Sequence, residues 1–107
     1  MATVKFKMEK TTLTACLEGE IDHHSAQALR EQIDAQVLST TPAQLILEFR
    51  GVTFMDSSGI GLIMGRSTMM KVLGGKLYIR DPPPQIARIL HLAQINTYDT
   101  TSEVYAK

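Results

Sequence analysis

The sequence has one cysteine, no tryptophan and few other aromatic residues, three Tyr and three Phe. A single thiol cannot close an internal disulfide, so no covalent staple holds this chain. Cys16 lies in an alternating, strand-like run, where a small buried apolar side chain is the plainer reading than a reactive or metal-binding thiol. Neither sign of charge is in excess, since eleven Lys and Arg balance eleven Asp and Glu. With no block of like charge the chain has no grip for a phosphate backbone or an anionic lipid surface, so neither nucleic acid nor membrane is expected as a partner. No apolar run approaches the roughly 20 residues that cross a bilayer, and strand-like residues begin directly at the N-terminus. The expected location is the cytoplasm. Neither an internal repeat nor a low-complexity linker interrupts the 107 residues. They read as one domain, 1–107, large enough to bury about 65% of the surface its unfolded form exposes.

What is present is an ordered alternation of strand and helix patterns. Val4, Phe6 and Met8 alternate with Lys5 and Lys7, and after a turn at Glu9-Lys10-Thr11 the residues Leu13, Ala15 and Leu17 alternate again. This predicts two antiparallel strands. Ala26, Leu29, Ile33 and Val37 then mark one face of a helix of about four turns, with Asp22 as its N-cap and Pro42 closing the segment. Leu45–Phe49 is short, apolar and β-prone, which suits a central strand covered on both faces. A second helix is expected after Asp56. Ile60, Ile63 and Met64 form its apolar face, Leu62, Met69, Val72 and Leu73 widen it, and Gly74-Gly75 stops it. Lys76–Arg80 reads as a further strand, and Asp81 with Pro82 opens a third helix buried through Ile86, Ile89, Leu90 and Ala93. Thr100 and Glu103 have capping-box spacing and mark a short terminal helix. Strand–helix alternation after residue 40 requires right-handed crossovers, giving an α/β fold with a mostly parallel sheet and the opening hairpin at one side.

The chemistry concentrates in Phe54-Met55-Asp56-Ser57-Ser58-Gly59-Ile60-Gly61, a hydroxyl-rich turn entering a helix. Unpaired N–H groups and the positive dipole end suit a phosphate there, so the motif reads as a switch. Catalysis fits less well. Ser57 and His91 invite a hydrolase reading, but the glycine two positions before the nucleophile of a G-x-S-x-G elbow is missing, and an exposed hydroxyl at a helix start is ordinarily a cap. Gly59, Gly61 and Gly65 miss the dinucleotide fingerprint because Met64 stands where glycine is required, and Gly74-Gly75-Lys76 lacks the rest of a P-loop. His23-His24 is no metal site, since adjacent residues diverge on a helix and no third ligand has the right spacing. The methionines Met55, Met64, Met69 and Met70 serve core packing by default and a docking surface as the alternative. Arg66 either reaches a partner carboxylate or stays in water.

Two stretches, Leu17-Glu18-Gly19-Glu20-Ile21-Asp22-His23-His24-Ser25-Ala26 and Phe54 through Arg66, together resemble the anti-sigma factor antagonists of the STAS family, and within it the sporulation branch. The resemblance covers nearly the whole chain and implies a four- or five-stranded mixed sheet with helices mainly on one face. It also implies a regulator that is not an enzyme and has no cofactor. Its partner would be an anti-sigma factor serine kinase, which brings its own ATP and Mg²⁺. The unmodified form would bind that kinase and release the sigma factor, phosphorylation at Ser57 would reverse this, and a phosphoserine phosphatase would restore the first state. Asp22, Asp56, Ser58, Gly59, Ile60, Gly61 and Arg66 would meet the partner. A rival of another class is a STAS module in which the Ser57–Gly61 turn senses a small anion or nucleotide phosphate without covalent change. One departure from the family pattern is the end at Lys107, soon after the capping box.

Overall fold

The computed structural model describes residues 1–100. In chain order they form β1 (Ala2–Glu9), β2 (Thr12–Ile21), α1 (Ala26–Thr40), β3 (Gln44–Met55), α2 (Ser57–Val72), β4 (Lys76–Arg80) and α3 (Pro84–Leu92). The four strands make one mixed sheet in the order β1-β2-β3-β4. β1 and β2 are the expected antiparallel hairpin, turning at Lys10 with φ +55°, while β2–β3 and β3–β4 are parallel. Among the described residues a single bridge from Arg80 to Tyr98 extends the sheet beyond β4.

Register explains where the core sits. Leu13 pairs with Leu45 and Ala15 with Leu47, which in turn pairs with Ile79. These residues face one side and are buried with Leu29, Ile33 and Val37 of α1, Leu62, Ile63 and Met70 of α2, and Ile86 and Leu90 of α3. All three helices therefore feed the same apolar cluster on one face of the sheet. On the other face Cys16, Glu48 and Arg80 lie in register and are only partly buried, with Arg80 Nε 2.6 Å from Glu48 Oε1. Cys16 is thus not a fully buried core thiol, and β3 is not covered on both faces.

Other expectations need correction. β3 runs 12 residues rather than five, because its alternation breaks near Arg50-Gly51 where register shifts at Cys16/Glu18 and Gly19/Glu20 let pairing with β2 resume. The inward face of α2 is Gly59, Leu62, Ile63, Arg66 and Met70, so Met64 and Val72 point to solvent at 58% and 81% exposure. Asp81 does not cap α3, which begins at Pro84 without a side-chain cap. Instead Asp81 is buried at φ +51° and accepts hydrogen bonds from Arg50 Nη2 at 2.6 Å, from the Thr100 N–H at 2.7 Å and from the Thr100 hydroxyl at 2.6 Å. Burial alone would raise its pKa, but these donors outweigh it and hold the carboxyl well below the usual range. Glu103, the other half of the expected capping box, lies outside the described residues. No helix among the described residues is long and apolar enough to cross a membrane.

Candidate functional site

The parallel pairing of β2 and β3 ends with Ile21 beside Met55, and the N–H of Asp56 donates to the carbonyl of Ile21 at 3.1 Å. That juxtaposition brings two turns, each opening with an aspartate, to the same rim of the sheet. Asp56 has extended backbone and caps α2: its Oδ1 accepts from the N–H of Ser58 at 2.9 Å and also from the Ser58 hydroxyl. Asp22 does equivalent work one turn ahead of α1, its Oδ1 accepting from the N–H groups of His24 and Ser25 at 3.0 Å each. The cap position of α1 itself is Ser25, so the expected capping of that helix by Asp22 is displaced by three residues. The hydroxyl of Ser25 donates back to the Glu20 carbonyl at 3.1 Å, closing the turn onto β2.

Both carboxyls are held below their ordinary pKa. For Asp56 the Ser58 hydroxyl contributes most, then the Ser58 N–H, while the charge of Asp22 works against them and His23 assists. For Asp22 the backbone N–H of Ser25 contributes most, and desolvation opposes it. The rim thus carries two ionised carboxylates at neutral pH. His23 and His24 do not diverge as expected. They sit in the turn before α1 rather than inside a helix, exposed, with ring centroids 4.1 Å apart.

The two serines after Asp56 differ. Ser58 is half-buried and its hydroxyl is taken up by Asp56, whereas Ser57, the first residue of α2, is exposed and its hydroxyl makes no hydrogen bond among the described residues. No imidazole hydrogen-bonds either serine among the described residues.

The remaining expected contact residues separate in the same way. Ile60 is half-buried and Gly61 is exposed, next to open space. Gly59 is buried, and a Cβ there would fall 2.2 Å from Met55 Cγ and 2.4 Å from its Sδ. Its place is under α2, where absence of a side chain lets the helix settle on the end of β3. Arg66 is not a surface residue: it is 8% exposed, and its Nε lies 2.8 Å from Asp34 Oδ1 of α1. The two atoms are close but poorly aligned, and neither makes a hydrogen bond. Burial lowers the Arg66 pKa, Asp34 raises it and Arg30 lowers it further.

Between α1 and α2 a groove of about 430 Å³ runs from Ser58 to Arg66, lined also by His23, Gln27, Arg30, Gly61 and Gly65. Gln27 and Arg30 went unnoticed in the sequence. Their spacing with Ala26 puts them on an outer strip of α1, but only the packing of α1 beside α2 turns that strip into a wall.

The STAS domain family model matches residues 5–106. The chain is similar to an anti-sigma F factor antagonist of Lysinibacillus sphaericus, 30% identical over 96 residues that cover 88% of this chain and 82% of that protein. It is also similar to the anti-sigma-B factor antagonist of Bacillus subtilis (strain 168), 30% identical over 89 residues covering 83% of this chain and 80% of the relative. Among solved structures, the anti-sigma factor antagonist SpoIIAA in its unphosphorylated form superposes with a TM-score of 0.83 at 26% identity, covering 97% of this chain and 93% of that one. The phosphorylated form of the Bacillus protein SpoIIAA superposes at 0.76, also at 26% identity, over 97% of this chain and 96% of that one. With a match over nearly its whole length, and with the sheet order and helix placement already described, the chain belongs to the STAS domain family.

Proposed function

We propose that this protein is an anti-sigma factor antagonist, that its unphosphorylated form binds an anti-sigma serine kinase and releases the sigma factor, and that phosphorylation of Ser57 ends the interaction. The observation that carries this reading is the division between the two serines: Ser57 presents a free, exposed hydroxyl at the start of α2, and Ser58 is committed to the Asp56 cap. The relatives support the regulatory class by their names, and one solved neighbour is described in a phosphorylated form.

The chemistry follows from the rim. A phosphate on Ser57 adds about −1.5 to −2 charges. The first turn of α2 tolerates it, since the helix dipole favours negative charge at its N-terminus. The fold therefore survives modification. The partner meets a different surface, on which a dianion joins the carboxylates of Asp56 and Asp22. Stripping water from that charge is costly without a basic pocket opposite, so the kinase lets go. The protein acts as substrate and regulator in the cytoplasm rather than as catalyst, and a phosphoserine phosphatase resets it.

Incubation with the anti-sigma kinase and ATP, followed by peptide mass spectrometry, tests the assignment. One phosphate on Ser57 is expected. Phosphate on Ser58 would move the site, and no gain of mass at all would favour reversible sensing of a small anion over covalent control.

A further inference from the structure

The groove between α1 and α2 has features that internal packing does not require. At Gly61 and Gly65 an added Cβ would meet nothing within 4 Å, so the fold does not demand glycine at either place. Glycine nonetheless weakens a helix interior relative to alanine. What the two glycines accomplish is outward: they keep the wall of the groove low along α2.

The charge of the groove is the second observation. Arg30 and Arg66 line it and, among the described residues, no acidic residue does, in a chain whose formal charge is zero. Arg66 is more than nine-tenths buried, and its guanidinium donates no hydrogen bond among the described residues, although Asp34 lies beside Nε. Asp34 is the counter-charge of Arg66, so the positive charge left open to the groove is that of Arg30, exposed and without an ion pair among the described residues, and a guanidinium is best satisfied by a planar carboxylate. Ala26 and Leu62 add apolar wall, which suits the methylenes of an acidic side chain better than a bare inorganic ion. The third observation is continuity, because Ser58 and Gly61 line the same groove. Ser57 directly precedes Ser58 at the same end of α2.

We infer that this groove receives an acidic side chain, Asp or Glu, of the anti-sigma kinase, with Arg30 facing its carboxylate, the Arg66–Asp34 pair at its floor, and Gly61 and Gly65 giving it room. The inference rests on the reading of the Ser57 rim as the kinase-docking face, and it adds Arg30, Gln27 and Gly65 to that face. It also gives phosphorylation a second effect: a phosphate on Ser57 brings negative charge to the Ser58 end of a groove whose occupant is itself negative.

The test is the affinity of the unphosphorylated protein for the purified kinase, measured by calorimetry at low and high salt, with phosphate incorporation into the wild type followed in parallel. Arg30→Glu reverses an exposed charge, and Gly65→Leu fills the groove. Each is expected to weaken binding about tenfold or more without lowering the melting temperature, and Arg30→Glu is expected to flatten the salt dependence. Wild-type affinity in both variants, with Ser57 still phosphorylated, overturns the groove assignment and leaves the docking reading standing. A wild-type protein that neither binds the kinase nor is phosphorylated overturns both. Inorganic phosphate or ATP alone shifting the amide resonances of Gly61 and Gly65, while neither variant alters kinase affinity, gives the groove to a small anion and overturns the assignment to a protein carboxylate.

Discussion

Asp56 Oδ1 accepts both the backbone N–H of Ser58, at 2.9 Å, and the Ser58 hydroxyl, so the second serine of the pair is structural and the first is free. Ser57→Ala therefore removes a hydroxyl that makes no bond among the described residues, and should change stability by no more than about 0.5 kcal/mol. Ser58→Ala should cost about 1 kcal/mol through the lost hydrogen bond to a charged acceptor. Urea denaturation alongside phosphate incorporation checks both: the kinase should modify Ser58→Ala and fail on Ser57→Ala.

Glycines 59 and 61, two residues apart, should answer to substitution in opposite directions. Gly59→Ala places a methyl group on Met55 and should destabilise by about 1–3 kcal/mol, so that binding, stability and phosphorylation fall together. Gly61→Ala meets nothing and should stabilise by up to about 1 kcal/mol through helix propensity, while weakening the kinase complex. A higher melting temperature with lower affinity is the signature to look for.

Arg66 should behave as a buried residue with a partner. Arg66→Ala removes packing and leaves Asp34 without its counter-charge, for a cost of about 1–3 kcal/mol. Asp34→Ala should cost stability too, and the double variant should cost less than the sum of the two, as a double-mutant cycle in urea will reveal.

Asp22→Asn keeps an oxygen able to accept from the N–H groups of His24 and Ser25, so its turn should persist. Loss of the rim charge should then appear as weaker kinase binding at an unchanged melting temperature. A large drop in melting temperature with affinity preserved would confine Asp22 to the turn.

Stability should fall in acid. Asp81, Asp56 and Asp22 all have folded-state pKa values below those of an unfolded chain, where Asp titrates near about 3.9. A depressed folded pKa contributes stability that is fully present above the unfolded value and is lost as pH falls through the folded one. Denaturation midpoints should therefore hold steady above about pH 5 and decline below about pH 4. Asp81→Asn, which disrupts the link to Arg50 and Thr100, should lower stability at neutral pH by about 2 kcal/mol and make that decline shallower.

The parts legible in the sequence are those whose causes lie within a few residues. Alternation over Val4–Met8 and Leu13–Leu17 encoded the hairpin, the Leu29/Ile33/Val37 spacing encoded the buried face of α1, and the Asp56-Ser57-Ser58 turn encoded the start of α2, although the cap there is Asp56 rather than a serine hydroxyl. What required the tertiary structure depends on contacts far apart along the chain. The bulged pairing with β2 decided how far β3 runs, and the same pairing carried Asp22 to the rim of Asp56. Asp34 on a neighbouring helix turned Arg66 from a surface candidate into a buried one, and Arg50 and Thr100 claimed Asp81 from the helix it stood ready to cap. A hydrogen bond to the next turn or a two-residue period is set by the local backbone, whereas the environment of a long charged side chain is set by whichever element packs beside it.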